Sequence, residues 1–172
     1  MVGVCPTTHR TGSRAVVSIK GTVKLRIRRG RDVTASFPEL APLANVLAGG
    51  SVILDGELVT CTSGVVDFYR LAGRVAATGR TAVRAVGARS VMFVIFDLHH
   101  LDGVDLTLQP LLLPRRALDG LDLVAPAWVV NRWYRGETAA LLAVRVEQGH
   151  EVVVAKRLDS FLLGPGCGPG RS

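Results

Sequence analysis

The 172 residues contain only three cysteines, Cys5, Cys61 and Cys167. They are odd in number and far apart, and no Cys-x-x-Cys pair or Cys/His cluster accompanies them. That excludes a disulfide framework and a zinc site, and it reads as free thiols in a reducing compartment. No apolar run approaches the length of a membrane-spanning helix. Residues 1–10 lack the hydrophobic segment of a secretory leader, so a cytoplasmic location is expected. Lysine is scarce, with Lys20, Lys24 and Lys156 making up the whole complement. No internal repeat or interdomain linker is visible. Only the glycine- and proline-dominated stretch Gly164 to Ser172 reads as a disordered tail.

Against these absences stands a hydrophobic content of 48%, enough for one domain with a real core. The net charge is +7 and the isoelectric point near 10.2, as expected of a protein that meets polyanions. A plainer source competes with that reading. Arginine greatly outnumbers lysine and Ala, Gly and Val are abundant, a pattern that GC-rich codons also produce.

Hydrophobic periodicity divides the chain. Arg14 to Ile19 and Val23 to Arg28 read as strands of a hairpin around Gly21. Ser36 is placed to cap a helix that carries Pro38 in its first turn and runs through Leu47 to the Gly49-Gly50 stop. Ser51 to Thr60 is a strand. Asp67 to Ala77 has helical spacing, closed by Gly79. Val91 to Leu98 is nearly all apolar, so a strand buried on both sides is expected. A short helix with Arg115 and Arg116 follows Leu111 to Pro114. Trp128 to Trp133 is strand-like, Glu137 to Gln148 helical, and Glu151 to Ala155 the last strand. Without regular βαβ alternation the class is α+β.

The most informative segment is Ile53-Leu54-Asp55-Gly56-Glu57-Leu58-Val59, an apolar strand that presents two carboxylates around a glycine. Acids beside a flexible backbone point suit metal ions or sugar hydroxyls, although Asp-Gly is also a common turn pair. Phe93-Val94-Ile95-Phe96-Asp97-Leu98, Leu101-Asp102-Gly103 and Glu151-Val152-Val153-Val154-Ala155-Lys156-Arg157 follow in order. Together these resemble motifs III, IIIa and IV of the bacterial-type ATP-dependent DNA ligases, within the covalent nucleotidyltransferase superfamily. Arg28-Arg29-Gly30-Arg31-Asp32-Val33-Thr34 with Phe37-Pro38-Glu39-Leu40 is similar to the ligase stretch between motifs I and III. Lys156-Arg157-Leu158-Asp159-Ser160 continues motif IV as in bacterial ligases. These last two stretches disfavour the related RNA-capping guanylyltransferases.

The resemblance implies an ATP-grasp-like nucleotidyltransferase (adenylation) fold, with mixed or antiparallel sheets flanked by helices, over residues 1–163. It implies ATP and Mg2+ as cofactors and nicked double-stranded DNA as partner, sealed in repair and recombination. Glu57 would meet the ribose hydroxyls or a metal, and Phe96, with Phe93 as alternative, would stack on adenine. Asp97 would position the neighbouring loop, Glu151 would bind metal and Lys156 the α-phosphate. Arg14 would contact phosphate or ribose, and Arg28 and Arg29 DNA phosphates. His99 and His100, without partner acids at ligand spacing, read as surface or loop residues.

Two departures stand out. The family's nucleophile is the lysine of a Lys-x-Asp-Gly motif, which attacks the ATP α-phosphate as a neutral amine. Here the matching run is His9-Arg10-Thr11-Gly12-Ser13-Arg14, with Gly12 and Arg14 in register but His9 at the lysine position and Thr11 at the aspartate. After Ser160 the chain runs Phe-Leu-Leu-Gly-Pro-Gly rather than into motif V, so motif V and the C-terminal OB-fold domain are expected to be absent. The expectation is therefore an impaired ligase domain, with a non-catalytic remnant that at most binds ATP or DNA as the alternative.

Overall fold

The computed structural model describes residues 2–7, 12–47, 49–62, 65–66, 68–88, 90–135, 152–157 and 159–161. In chain order the elements are β1 (Val2–Thr7), β2 (Ser13–Lys20), β3 (Thr22–Ile27), α1 (Leu43–Val46), β4 (Ser51–Thr62) and β5 (Val65–Val66). Then come α2 (Phe68–Ala76), α3 (Gly79–Ala88), β6 (Val91–Leu101), β7 (Val104–Asp105) and α4 (Leu112–Gly120). The remaining strands are β8 (Val124–Ala125), β9 (Trp128–Val130), β10 (Tyr134–Arg135) and β11 (Val152–Arg157). The large sheet has the order β3-β2-β4-β6-β9-β8, with β5 beside β4 and β7 beside β6, and a small sheet has the order β10-β1-β11. Among the described residues β6–β9 is the parallel pair and the other pairs are antiparallel, so the large sheet is mixed.

Period-two alternation builds one face of the large sheet. Ala15, Val17 and Ile19 of β2, Val23 and Leu25 of β3, Leu54 and Leu58 of β4, and Phe93 and Ile95 of β6 all point into the core. Phe37, Leu40, Leu43, Leu71 and Leu118 pack against them from the flanking turns and helices. Each of the larger side chains (Val, Leu, Ile, Phe) contributes about 1.5–3 kcal/mol on burial. Within this layer Arg74 of α2 is fully buried. It donates to Glu39 Oε1 at 2.5 Å and to the Ala82 carbonyl at 3.0 Å, and lies over the Phe37 ring. One cation thus ties α2 to α3 and to the Phe37–Leu40 turn.

Several expected elements differ. The helix from Ser36 to Leu47 is instead two three-residue 3-10 turns, Thr34–Ser36 and Pro38–Leu40, followed by the short α1. Pro42 lacks the N–H that a continuing helix would need, so the run breaks there. Ser36 caps nothing; its buried hydroxyl donates to the Val75 carbonyl at 3.1 Å. Gly79 does not merely close α2. With φ of 53° it turns the chain into a second helix, α3. The strand at Trp128 ends at Val130 rather than Trp133. β6 alternates between buried and accessible positions up to Phe96 instead of being buried throughout. The expected helix 137–148 and the tail 164–172 lie outside the described residues.

Candidate functional site

Cross-strand register decides which side chains share the sheet face opposite the core. Arg14 of β2 pairs with Glu57 of β4, which pairs with Val94 of β6. Val16 pairs with Asp55, which pairs with Asp97. Directly opposite residues lie on one face, so Arg14, Asp55, Glu57 and Asp97 occupy a single patch. Val16 also pairs with Arg26, and Ser18 with Lys24, so two exposed cations of β3 extend this face. Sequence reasoning placed both in the hairpin strand Val23 to Arg28 and gave neither a part in the site.

The glycine between the two acids has a definite cause. A Cβ on Gly56 would stand 2.4 Å from the Val94 carbonyl oxygen and 2.6 Å from the Phe93 ring. Gly56 is thus required by the close approach of β6 and by an aromatic laid over β4, and the expected flexible point is a packing constraint. The other Asp-Gly pair is a turn. Asp102 (φ 48°) and Gly103 (φ 89°) both take left-handed conformations between β6 and β7, the pattern of a type I′ hairpin turn. Asp102 Oδ1 also accepts from the Ser51 N–H at 2.9 Å, anchoring the start of β4.

Two irregularities re-aim β6. Asp55 pairs with Asp97 but Gly56 with Ile95, which skips Phe96. Leu54 pairs with Leu98 but Ile53 with His100, which skips His99. Each is a bulge that inserts one residue and turns the strand. The core residues Ile95 and Leu98 are therefore separated by two residues rather than one, and Asp97 reaches the face shared with Asp55. Phe96 is partly accessible whereas Phe93 is fully buried, so the alternative aromatic belongs to the core against Gly56. The signal was present in the sequence, because apolar spacing widens from two to three residues where Asp97 interrupts the run.

The acids are almost completely buried, Asp55 at 0%, Glu57 at 5% and Asp97 at 7% exposure, and each of two is matched by a cation. The Arg14 guanidinium donates to Asp55 through Nε at 3.1 Å and Nη2 at 2.5 Å. This hydrogen bond, reinforced by the Asp55 charge, holds the Arg14 pKa above its ordinary value. Lys156 Nζ reaches from β11 to Asp97 Oδ2 at 2.6 Å, joining the small sheet to the large one. Asp97 is thus the partner of Lys156 rather than a loop-positioning group. Gly12 packs directly on Glu57, since a Cβ there would meet the Glu57 carboxylate at 2.5 Å.

His99 corrects a second expectation. It is no surface residue; it is 4% exposed on β6, with Nε2 3.6 Å from Asp55 Oδ2 and no hydrogen-bond partner for that nitrogen among the described residues. Burial lowers its pKa below the ordinary value, outweighing the nearby Asp55 and Asp97 charges. His100 likewise lies in β6, half-buried, and not in a loop. The bulge at 99 is what brings an otherwise unremarkable histidine under the site.

The remaining residues fall around this patch. Arg28 and Arg29 are exposed on the 3-10 turn that ends β3 (Arg29 with φ of 64°). Arg157 and Asp159 pair locally at 2.7 Å, and that hydrogen bond holds the Asp159 pKa down to about 2. Ser160 closes the same turn and its carbonyl accepts from Leu111 N–H. His9, Thr11 and Glu151 lie outside the described residues.

The patch offers a glycine backbone, a partly accessible aromatic, two cations and a buried acid. By contrast no group of three or more His, Cys, Asp or Glu residues gathers as metal ligands among the described residues. Asp55 and Asp97 already face cations, so these side chains do not form a divalent-metal site by themselves. Mg2+ commonly takes one or two carboxylates and completes its shell with water and substrate phosphates.

A mixed sheet gathers buried acids and paired cations on one face, with helices on the other, as expected of an adenylation-type nucleotidyltransferase domain. Residues 8–162 match the model of the ATP dependent DNA ligase domain, and the chain belongs to that family. It is 39% identical over 141 residues to the multifunctional non-homologous end joining DNA repair protein LigD of Mycobacterium tuberculosis, covering 81% of this chain and 17% of LigD. It is 28% identical over 151 residues to the SPbeta prophage-derived DNA ligase-like protein LigB of Bacillus subtilis, covering 87% of this chain and 52% of LigB. Among solved structures it superposes on mycobacterial DNA ligase D complexed with ATP and MES with a TM-score of 0.76 at 36% identity, covering 96% of this chain and 50% of that one. The chain thus spans a minor part to about half of these relatives. No helix among the described residues is long and apolar enough to cross a membrane.

Proposed function

We propose that this chain is the ATP-binding part of a DNA nick-sealing machinery, impaired in the covalent step. The observation that carries this reading is the convergence of Arg14, Asp55, Glu57, Asp97 and Lys156 on one sheet face, with Gly12 packed on Glu57. In this reading Phe96 stacks on adenine, Glu57 accepts the ribose hydroxyls, and Arg14 and Lys156 turn from their acids to the phosphates. The existing ion pairs hold both cations at the site, so their charge is in place before ligand arrives. Lys24, Arg26, Arg28 and Arg29 would carry duplex phosphates away from the nucleotide. Bound Mg2+ would neutralise phosphate charge.

In the family reaction an amine attacks the α-phosphate, the new nitrogen–phosphorus bond forms, and diphosphate leaves. His9 stands where that amine belongs, with Thr11 in place of the aspartate. Loss of a covalent nucleophile removes the intermediate itself, so its cost is orders of magnitude in rate. Calorimetry with ATP and Mg2+ on wild type and Glu57→Ala, paired with α-labelled ATP, tests the reading. Binding that Glu57→Ala weakens, without label on the protein and without sealing of nicked duplex, is the expected result. Undetectable binding in both proteins would remove the nucleotide site. Label that persists on the chain and disappears in His9→Ala would instead establish a histidine adduct and a working enzyme.

A further inference from the structure

Arg115 lies in the buried stripe of α4 formed by Leu111, Pro114 and Leu118, whereas Arg116 beside it is exposed. A cation on the apolar face of a helix requires compensation. Arg115 Nη1 donates to the Phe96 carbonyl at 2.9 Å. Nη2 donates to the Asn131 carbonyl and to Asp119 Oδ1, the latter at 3.0 Å. Asp119 Oδ2 in turn accepts from Trp133 Nε1 at 2.8 Å. These partners mark one place in the sheet. The parallel β6–β9 ladder ends at Ile95–Val130, followed by the Asn131 N–H to Ile95 carbonyl bond at 2.7 Å. Beyond it the bulge at Phe96 carries β6 away, and the guanidinium spans the opening between the two backbones.

We infer that Arg115 is a positioning residue for the nucleotide base. By holding the carbonyl of the bulged Phe96 it fixes the backbone from which that ring projects. The inference rests on the reading that Phe96 stacks on adenine. A planar fork is needed to serve two carbonyls and a carboxylate together, which the point charge of lysine does not replace.

The experiment compares ATP with inorganic tripolyphosphate, which has the phosphates and no base, by calorimetry on the full chain under conditions where circular dichroism shows it folded. Phe96→Ala is expected to weaken ATP binding by about tenfold or more, the scale of stacking between a base and an aromatic ring, while tripolyphosphate is unaffected. Arg115→Met and Arg115→Lys are expected to show the same split, and either combined with Phe96→Ala to be no weaker than Phe96→Ala alone. Asp119→Asn, at a half-exposed carboxylate, loosens the guanidinium without opening a core cavity and supplies the test should Arg115→Met fail to fold; a smaller split in the same direction is expected. Equal losses for ATP and tripolyphosphate, or unchanged ATP binding in the Arg115 variants while Phe96→Ala weakens it, would overturn the role of Arg115. Unchanged ATP binding in Phe96→Ala, or none in wild type, would instead overturn the base site on which that role depends.

Discussion

Substituting Gly56 by alanine separates a packing glycine from a flexible one. The added methyl would lie 2.4 Å from the Val94 carbonyl oxygen and 2.6 Å and 2.8 Å from two atoms of the Phe93 ring. β4 is hydrogen-bonded to β2 on one side and β6 on the other, so it has no free edge toward which to move. Overpacking a core costs about 1–3 kcal/mol when side chains can yield. A carbonyl of the neighbouring strand yields only if the ladder opens, so the cost belongs at the upper end, about 3 kcal/mol or more. In a domain of this size that lowers Tm by roughly 6–12 °C. Gly103→Ala is the control, because nothing lies within 4 Å of its Cβ position and its φ of 89° carries the whole penalty, about 1–2 kcal/mol for left-handed backbone. Urea midpoints and thermal melts of both variants should therefore rank Gly56→Ala as the more damaging. On a Phe93→Leu background the cost of Gly56→Ala should fall but persist, since the carbonyl contact remains. A cost within about 0.5 kcal/mol of zero, the ordinary range of neutral surface changes, or complete rescue by Phe93→Leu, would refute the proposed backbone approach.

Two further outcomes follow from buried charge. Arg74→Met should lose about 3–5 kcal/mol, because it strands Glu39 without its cation. Arg74→Met with Glu39→Gln should recover part of that loss in chemical denaturation, and a double variant no better than the single would deny the pair. His99 binds its proton less readily folded than unfolded, so the unfolded chain takes up the extra proton as pH falls below about 6.5. Stability is then full above that pH and declines below it, by at most about 1.4 kcal/mol per pH unit for one group. Urea midpoints between pH 7.5 and 5.5 should fall more steeply for wild type than for His99→Gln. Parallel slopes would refute a part for His99 in the acid sensitivity.

The strands β2, β4 and β6 were legible from their apolar runs, and the α+β class from the mixture of strand and helix patterns. Glu57, Asp97 and Lys156 were singled out by the resemblance to the ligase motifs, not by periodicity. What escaped is geometry that period-two reasoning discards. A bulge changes which face a residue serves without changing composition, so His99 read as surface and Asp97 as a loop-positioning group. β1 escaped because Pro6 marks a strand edge and its pairing partner β11 lies about 150 positions away. α3 escaped because Gly79 reads equally as the end of one helix and the beginning of the next. Arg115 escaped because a cation beside a second arginine on a short helix ordinarily faces water.

The buried polar pairs share one physical origin, and it bears on how the site works. In each the partner lies on another element, Asp97 with Lys156, Arg115 with the Phe96 carbonyl, Arg74 with Glu39. In a buried setting an unpaired member of such a couple costs more than the couple contributes. The pairs therefore specify how β11, α4 and α2 register against the large sheet more than they add to its stability. A ligand phosphate arriving at the site would compete with Asp55 and Asp97 for Arg14 and Lys156, and only a doubly or more highly charged anion offers a comparable partner to both. The same exchange that admits such an anion would loosen the link between the two sheets at Asp97, coupling occupancy of the site to the position of β11.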